Sequence, residues 1–404
     1  MAGTTVGRIT DNLAILRVDD SSTHYFEGLW EIPEGITYNA YLLDTGEGFI
    51  LFDGWKRIYA SELLRILEDL LDPGDLKYIV VHHMEPDHTG SLPLVASWAR
   101  EAKILGHPMA FKIMGGRVAA ERFRPVRDGE ELALGGYKLK FIYAPWIHWP
   151  ETMFTYVEGD SVLLTCDAFG GYGIPRAVFD DECRDMDWYL YTAKKYLVTV
   201  VGKYRGFVVK ALDKLSKLGV EPSIVAPGHG LVWRKDPRLI MDHYRRISSG
   251  ELVEGKAVVV YASMYGSTER LALHAAKALS QAGYRVSVYG FTDSKRPSIA
   301  DTLADIADSE LLVIALPTYE ADPYPLIEYL VGLICEKASA PRRAAVLGSY
   351  SWGGVGAKAI ASMLEKCGHK VVYVGERQRI HATLREVEEE VESLLKAVGS
   401  PRGA

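Results

Sequence analysis

The 404-residue sequence is poor in cysteine, and the spacing of the few that it has excludes several kinds of site. The four are Cys166, Cys183, Cys335 and Cys367, and no two form a Cys-x-x-Cys pair. This rules out a site in which four cysteines hold iron or an iron–sulfur cluster. We expect the cysteines to be mostly buried small hydrophobic residues in a reducing, cytoplasmic setting.

Long apolar runs and an excess of basic charge are also missing. The longest apolar runs, such as residues 311–316, have the length of a buried strand and are far too short to span a bilayer. Residues 1–11 lack a basic stretch followed by an apolar one, so we expect no secretory signal. With 46 basic against 53 acidic residues, the net charge of −7 gives no indication of a nucleic-acid-binding face.

The length suits two or three domains, and the sequence suggests where the chain divides. Residues 248–255 are polar, bounded by glycine and without clear periodicity. A helical pattern precedes them at 236–247, and an apolar strand follows at 257–261. We therefore expect a first domain at 1–250 and a second at 255–404.

The second domain alternates apolar strands with amphipathic helices. Strands are predicted at 257–262, 285–290, 310–316, 344–348 and 370–374, and helices at 269–282, 298–307, 324–337, 355–367 and 383–397. This alternation predicts an α/β fold with a doubly wound parallel sheet, in the smaller five-stranded order.

The first domain is richer in short strands. They are predicted at 38–43, 49–52, 78–81, 138–143, 153–157 and 161–165, with helices at 59–71, 91–100, 109–114 and 187–217. The pattern favours two mixed sheets between layers of helices.

A dense group of possible metal ligands directly follows the strand at 78–81. Residues 82–90 read His-His-Met-Glu-Pro-Asp-His-Thr-Gly, so that His83, Glu85, Asp87 and His88 lie within six residues. Burying so many charges without a cation would be costly, and no packing role needs them. His82 is expected to point away, because side chains alternate along a strand.

Three more candidate ligands lie in turns or at a strand end: His148, Asp167 and His229. Taken singly, each is more often a surface or capping residue. Taken as an ordered set with residues 82–90, they predict a metal centre. Imidazole and carboxylate without thiolate suit iron, although the ligand types alone leave zinc open.

A second candidate site follows the strand at 257–262. Hydroxyl groups, one glycine and free backbone N–H groups precede a helix there and can hold a single phosphate. The loop consists of Ser263, Met264, Tyr265, Gly266, Ser267 and Thr268. An ordinary helix cap would explain Thr268, but not three hydroxyl groups beside a glycine.

The order His-x-Glu-x-Asp-His, then His, then Asp, then Gly-His-Gly resembles the metallo-β-lactamase fold family. At the position of Glu85 the hydrolases usually carry His, and a Glu at this position is similar to the flavodiiron branch of the family. In that branch a flavodoxin-like domain follows, so the resemblance covers nearly the whole chain, without a fused rubredoxin. It implies an αββα sandwich followed by a flavodoxin-like doubly wound sheet.

The resemblance also implies roles for the candidate residues. It assigns His83, Glu85 and His148 to a first iron, Asp87, His88 and His229 to a second, and Asp167 to both. In some family members the residue that matches His88 swings off the metal. By position, Tyr196 and His24 are possible neighbours of the substrate side.

The phosphate loop resembles that of flavodoxins and implies FMN. Two later strand ends should then enclose the flavin ring, with Tyr319, Tyr350 and Trp352 as stacking candidates. The implied residues are Pro317, Thr318, Tyr319, Glu320, Ser349, Tyr350, Ser351, Trp352, Gly353 and Gly354. A formal Gly-x-Gly-x-x-Ala match at 354–359 follows the fourth strand rather than the first, which disfavours NAD.

The family resemblance implies reduction of dioxygen to water, of nitric oxide to nitrous oxide, or of both. Electrons would pass from an external donor, rubredoxin or a reduced deazaflavin cofactor, through FMN to the iron pair. The expected assembly is a head-to-tail homodimer or a dimer of dimers. A zinc hydrolase with a fused regulatory flavodoxin domain is the main alternative, and an electron carrier with a structural metal domain is a weaker one.

Overall fold

The computed structural model of the chain describes residues 3–116, 119–379 and 381–401, apart from the side chains of 377–379. The chain divides into two compact units, Met1–Arg245 and Arg246–Ala404. Each unit has its own sheets and is described by itself.

Unit 1 contains fourteen strands among the described residues. They are β1 (Gly3–Arg8), β2 (Leu13–Asp20), β3 (Tyr25–Phe26), β4 (Trp30–Glu31), β5 (Ile36–Asp44), β6 (Phe49–Phe52), β7 (Leu76–Val81), β8 (Lys103–Gly106), β9 (Phe123–Pro125), β10 (Glu131–Leu134), β11 (Tyr137–Tyr143), β12 (Met153–Val157), β13 (Val162–Cys166) and β14 (Ile224–Pro227). The first sheet has the order β1-β2-β5-β6-β7-β8-β9, and the second has the order β10-β11-β12-β13-β14. Both are mixed, with parallel pairs β6–β7, β7–β8, β8–β9 and β13–β14.

The α-helices that begin in this unit are α1 (Ala60–Leu70), α2 (Pro86–Thr89), α3 (Leu92–Trp98), α4 (Pro108–Met114), α5 (Met186–Tyr196), α6 (Arg205–Lys217) and α7 (Pro237–Ser249). The helix predicted at 187–217 is interrupted. A π-helical turn at Leu197–Val201 and a 3₁₀ turn at Gly202–Tyr204 separate α5 from α6. The β-branched run of the π-helical turn is fully buried, so packing rather than helix propensity decides its geometry.

The main core of unit 1 joins inward-facing side chains of the two sheets. Ile15 and Phe52 come from the first sheet, while Phe141 and Leu164 come from the second, and all are at most 1% exposed. Alternation along each strand places these residues on one face. Two sheets packed in this way, with helices following them, form the metallo-β-lactamase-like layers that the sequence predicts.

Unit 2 is a parallel sheet with helices between its strands. Its strands are β15 (Val253–Ala262), β16 (Arg285–Phe291), β17 (Ser309–Tyr319), β18 (Asp322–Pro323), β19 (Arg343–Tyr350) and β20 (Lys370–Arg379). Its helices are α8 (Ser267–Gln281), α9 (Ile299–Ala307), α10 (Pro325–Lys337), α11 (Gly356–Lys366) and α12 (Leu384–Val398). The order β16-β15-β17-β19-β20, with β18 paired to β17 alone, is the predicted flavodoxin-like order.

The predicted boundary segment is mostly regular structure. Helix α7 runs to Ser249 and β15 begins at Val253, so only residues 250–252 of the segment 248–255 lie outside a helix or strand.

The expectation for the cysteines is wrong for two of the four. Cys335 and Cys367 are partly buried and form a disulfide, with their Cα atoms 5.4 Å apart. They are 32 residues apart, at the end of α10 and just after α11, so spacing gives no sign of the pairing. Cys166 is buried as expected, and Cys183 is partly exposed.

Within residues 3–116, 119–379 and 381–401, every helix is too short or too polar to span a bilayer.

Candidate functional site

The candidate metal ligands lie just beyond the ends of strands in both sheets of unit 1. Residues 83–88 follow β7, and Pro86 begins the short helix α2, which fixes the direction of Asp87 and His88. Asp167 follows β13, and His229 follows β14. Since β13 and β14 are parallel, with Cys166 paired to Pro227, these two residues emerge side by side.

One group of ligands consists of His83, Glu85, His148 and Asp167. The Glu85 Oε2 atom lies 2.8 Å from His148 Nε2 and 3.3 Å from His83 Nε2. The Asp167 Oδ2 atom lies 3.4 Å from His83 Nε2 and 3.5 Å from His148 Nε2. One ligand atom from each residue therefore faces a common point.

The second group consists of Asp87, His88 and His229. The other carboxylate oxygen of Asp167, Oδ1, lies 2.9 Å from His88 Nε2 and 3.2 Å from His229 Nε2. The oxygens of Asp87 lie 3.6 Å from His88 Nε2 and 3.5 Å from His229 Nε2. Asp167 therefore turns one oxygen toward each group.

Burial and opposite charge both act on the ionisable groups of this cluster. Burial raises the pKa of the Asp167 carboxyl, but His88 and His229 outweigh it and hold that pKa well below its usual range. Burial likewise raises the pKa of Glu85, while the His148 and His83 rings lower it to about 2. For His83, burial lowers the pKa, but the carboxylates around it raise it to about 10. The cluster thus has a strongly negative potential.

The cluster fits metal ions, as its unpaired polar atoms indicate. Both oxygens of Asp87, Oδ2 of Asp167 and Nε2 of His229 are buried without a hydrogen-bond partner among the described residues. Leaving such groups unpaired is costly unless something binds them. Four imidazoles and three carboxylates are donors that iron accepts, and the absence of a thiolate separates the set from structural zinc sites.

Cys166 adjoins the cluster without joining this donor set. Its sulfur lies within 4.8 Å of a potential ligand atom of both His88 and Asp167. Burial and nearby carboxylates raise the pKa of that thiol well above its usual range, which disfavours the thiolate that a metal would need. Its φ of 50° is unusual for a non-glycine residue and turns the chain at the end of β13.

Three residues that the sequence analysis did not select support the ligand loop. Glu151 faces His83, with Oε1 3.0 Å from Nδ1. Asp53 and Thr155 hold the two ring nitrogens of His82, each at 2.7 Å, so His82 points away from the cluster as expected. Glu151 comes three residues after His148, and an acidic residue so close to a candidate ligand is the sequence signal that could have identified it.

The two proposed neighbours of the substrate side differ in position. Tyr196 is buried, and its hydroxyl donates a hydrogen bond of 2.8 Å to Asp167 Oδ1. Burial and Asp167 raise the pKa of Tyr196 well above its usual range, so the hydroxyl stays protonated. His24 is exposed, and its role therefore stays a prediction.

The phosphate loop of unit 2 has the form that the sequence suggests. Gly266 has a φ of 84° and donates its N–H to Ser263 Oγ at 3.1 Å, directly before α8 begins. A Cβ atom added at Gly266 would meet nothing within 4 Å, so the cradle is open there. Buried Thr268 exchanges a hydrogen bond of 2.7 Å with Ser349.

A cavity of about 250 Å³ adjoins this loop. Its lining consists of Met264, Tyr265, Pro317, Thr318, Tyr319, Glu320, Ser349, Tyr350, Ser351, Trp352 and Gly353. Tyr265 and Trp352 are about four-fifths exposed, at 80% and 81%, so most of each aromatic ring is open to a ligand. Gly354 lies against the Tyr350 ring, where a Cβ atom would come within 2.6 Å. A phosphate cradle beside an aromatic pocket fits FMN.

The wall at the end of β17 is a tight turn with an unusual backbone. Glu320 and Ala321 have φ values of 49° and 66°, between the paired residues Tyr319 and Asp322. Two consecutive positive φ values are typical of a hairpin turn that normally takes Asn and Gly. Neither residue here is of that kind, so the turn is strained, as backbones often are at binding sites.

Comparisons with known proteins agree with both halves of the chain. Residues 36–230 match the ODP family beta lactamase, and residues 259–394 match flavodoxin. A nitric oxide reductase of Moorella thermoacetica is 31% identical over 360 residues, covering 88% of this chain and 89% of the relative. A coenzyme F420H2 oxidase of Methanothermobacter marburgensis is 31% identical over 379 residues, covering 90% and 91%.

A solved structure is similar over the whole length. A mutant of a flavo di-iron protein from Thermotoga maritima has a TM-score of 0.92 and 35% identity, and covers 99% of this chain and 100% of its own. Since the relatives are oxidoreductases and the structure is a flavo di-iron protein, the comparisons favour oxidation–reduction chemistry over hydrolysis. The chain therefore belongs to the flavodiiron protein family, whose members are oxidoreductases with FMN and a pair of iron ions.

Proposed function

We propose that this protein reduces dioxygen to water, nitric oxide to nitrous oxide, or both, with electrons that an external donor delivers through FMN to an iron pair. The observation that carries the proposal is the position of Asp167. Its two oxygens face two separate groups of ligands, which is the arrangement that a pair of metal ions requires. The flavin pocket in the same chain supplies a place for electrons to enter.

We assign the ligands on the distances within the two groups. His83, Glu85 and His148 would hold the first iron, Asp87, His88 and His229 would hold the second, and Asp167 would serve both. Ser263, Tyr265, Gly266, Ser267 and Thr268 would hold the FMN phosphate, and the cavity beside them would receive the ring. When bound, a reduced iron pair would supply two electrons and a reduced FMN would supply two more. These four electrons match the reduction of dioxygen, which takes up four electrons and four protons and gives two waters.

The protein's own side chains orient the site and hold protons. Tyr196 keeps its proton and donates a hydrogen bond to Asp167 Oδ1, which fixes the direction of the shared carboxylate. His229 is fixed from behind, since its Nδ1 lies 2.7 Å from the carbonyl oxygen of Thr37 and leaves Nε2 toward the ligand group. Burial of the ligands excludes water from most of the cluster.

The donor, the assembly and the location complete the proposal. Rubredoxin and a reduced deazaflavin are the candidate donors, and the F420H2 oxidase relative supports the second. We propose a head-to-tail homodimer, or a dimer of two such dimers, in which the flavin of one subunit serves the metal centre of its partner. A cytoplasmic location accords with both donors, although a disulfide is more common in oxidising compartments.

Elemental analysis and the visible spectrum of purified protein test the proposal together. Protein made in iron-replete medium should contain about two irons per chain, given the two ligand groups, and show a flavin spectrum. Reduced protein should consume dioxygen or nitric oxide in the proportions of the balanced reactions. Stoichiometric zinc with hydrolase activity and no such consumption would instead support the hydrolase alternative.

A further inference from the structure

Glu151 lies outside the seven proposed ligands but contacts one of them. Its Oε1 atom lies 3.0 Å from His83 Nδ1 and accepts a hydrogen bond of 3.0 Å from the Met84 N–H. The side chain is 1% exposed, and its Oε2 atom has no hydrogen-bond partner within the described part of the chain. A buried carboxylate is costly without a partner, and the His83 ring lies within 3.0 Å of this one.

The two imidazoles of the second ligand group have weaker partners behind them. The Nδ1 atom of His229 faces the carbonyl oxygen of Thr37 at 2.7 Å. The Nδ1 atom of His88 is buried and, among the described residues, has no hydrogen-bond partner. A carboxylate is a stronger acceptor than a carbonyl, because it carries a full charge. His83 of the first group therefore has a carboxylate behind its ring, whereas His88 and His229 of the second group do not have this support among the contacts described.

We propose that Glu151 is a positioning residue that makes the first metal position bind its ion more tightly than the second. By accepting a hydrogen bond from the His83 Nδ1–H group, Glu151 leaves the lone pair of Nε2 directed at the ligand group. Its charge also makes the imidazole a stronger electron donor, as carboxylate partners do in other metal sites. This inference rests on the proposed function, since it requires two bound ions.

A purely structural role is the competing explanation, because Glu151 also holds the backbone of Met84. Two variants separate the roles. Glu151→Gln keeps the size and an oxygen for the Met84 N–H but removes the charge, whereas Glu151→Asp keeps the charge on a shorter side chain. Asp180→Asn is a matched control, since Asp180 is a buried carboxylate in the same unit that accepts from the backbone N–H groups of Arg234 and Asp236 and belongs to neither ligand group.

The experiment titrates Fe²⁺ without oxygen into full-length protein from which metal has been removed by chelation. We expect two ions in the wild type, and in Glu151→Gln a loss of about 10- to 100-fold in affinity at one position only. Glu151→Asp should recover part of that loss, and Asp180→Asn should bind both ions as the wild type does. The Mössbauer spectrum of iron-loaded Glu151→Gln should change for one of the two irons.

Two results would overturn the inference. One is wild-type affinity for both ions in Glu151→Gln. The other is an equal loss of both ions together with a lower melting temperature of the metal-free variant, which would make Glu151 a structural residue. A wild-type protein that fails to bind two ions would instead reject the proposed function itself, so the two failures are distinguishable.

Discussion

Replacing Asp167 with asparagine should weaken both metal positions at once. The substitution preserves the shape of the side chain and one oxygen, so Tyr196 can still donate its hydrogen bond. It removes the single negative charge that faces both ligand groups, through Oδ2 on one side and Oδ1 on the other. A neutral amide cannot balance two cations, so the effect is electrostatic rather than steric.

The expected size of the effect follows from the burial of Asp167, which is 1% exposed. Removing one partner of a buried ion pair costs about 3–5 kcal/mol, because the other charge loses its compensation. At about 1.4 kcal/mol for each factor of ten, this is roughly two to four orders of magnitude in affinity at each position. His148→Ala is the matched comparison, because His148 belongs to the first group alone.

Anaerobic Fe²⁺ titration of the two variants measures both positions. Asp167→Asn should lose tight binding of both ions, whereas His148→Ala should lose one and keep the other. If Asp167→Asn retained two irons with wild-type affinity and normal turnover, Asp167 would be an ordinary strand-end residue. The assignment of two metal positions that share a carboxylate would then be refuted.

Three further predictions concern the flavin, the disulfide and the assembly. Thr268→Glu should release FMN, because a carboxylate would repel the phosphate in the cradle, and a dinucleotide flavin released from heated wild-type protein would contradict the phosphate loop assignment. Loss of the Cys335–Cys367 disulfide, by reductant or by Cys335→Ser, should destabilise unit 2 by about 3.7 kcal/mol for a loop of this length, while reductant should not affect the variant. Urea unfolding measures this, and equal stability with and without reductant in the wild type would disprove it. The flavin-free Thr268→Glu variant can be mixed with a metal-free variant that combines His83→Ala and Asp167→Asn. If electrons cross between subunits, the mixture should regain up to about a quarter of wild-type activity, because half of the dimers are mixed and each of these has one complete site. A mixture that stays inactive, although native mass spectrometry detects heterodimers, would reject the proposed transfer between subunits.

The fold of unit 2 could be predicted from the sequence because its strands are apolar throughout. Residues 309–316 of β17 are all buried, and such a continuous apolar run is typical of a strand in a sheet that is covered on both faces. The predicted ends were less accurate, since β15 begins four residues before the predicted strand and β20 extends five residues beyond it. The residues at which a strand begins and ends depend on its pairing with neighbouring strands, which local composition does not show.

Unit 1 was harder to predict, because several of its short strands carry little hydrophobic signal. In β10 every second residue is exposed, and β9 has three residues, none of them buried. The candidate metal ligands could be found because four of them are clustered in residues 83–88, while His148 and His229 lie in turns and Asp167 directly follows an apolar strand. Glu151 and Asp53 were missed, because their roles come from contacts with His83 and His82 that only the folded chain creates.

The candidate ligands of each proposed metal position come from both sheets of unit 1, and this would tie folding to metal supply. His83 and Asp87 follow a strand of the first sheet, whereas Asp167 and His229 follow strands of the second. An ion bound to both sides can bind only when the sandwich is closed, so mass action favours the closed form by about 2.7 kcal/mol at a free-metal concentration about 100 times the dissociation constant. Iron availability would then govern how long a newly made chain survives proteolysis, in addition to its catalytic rate.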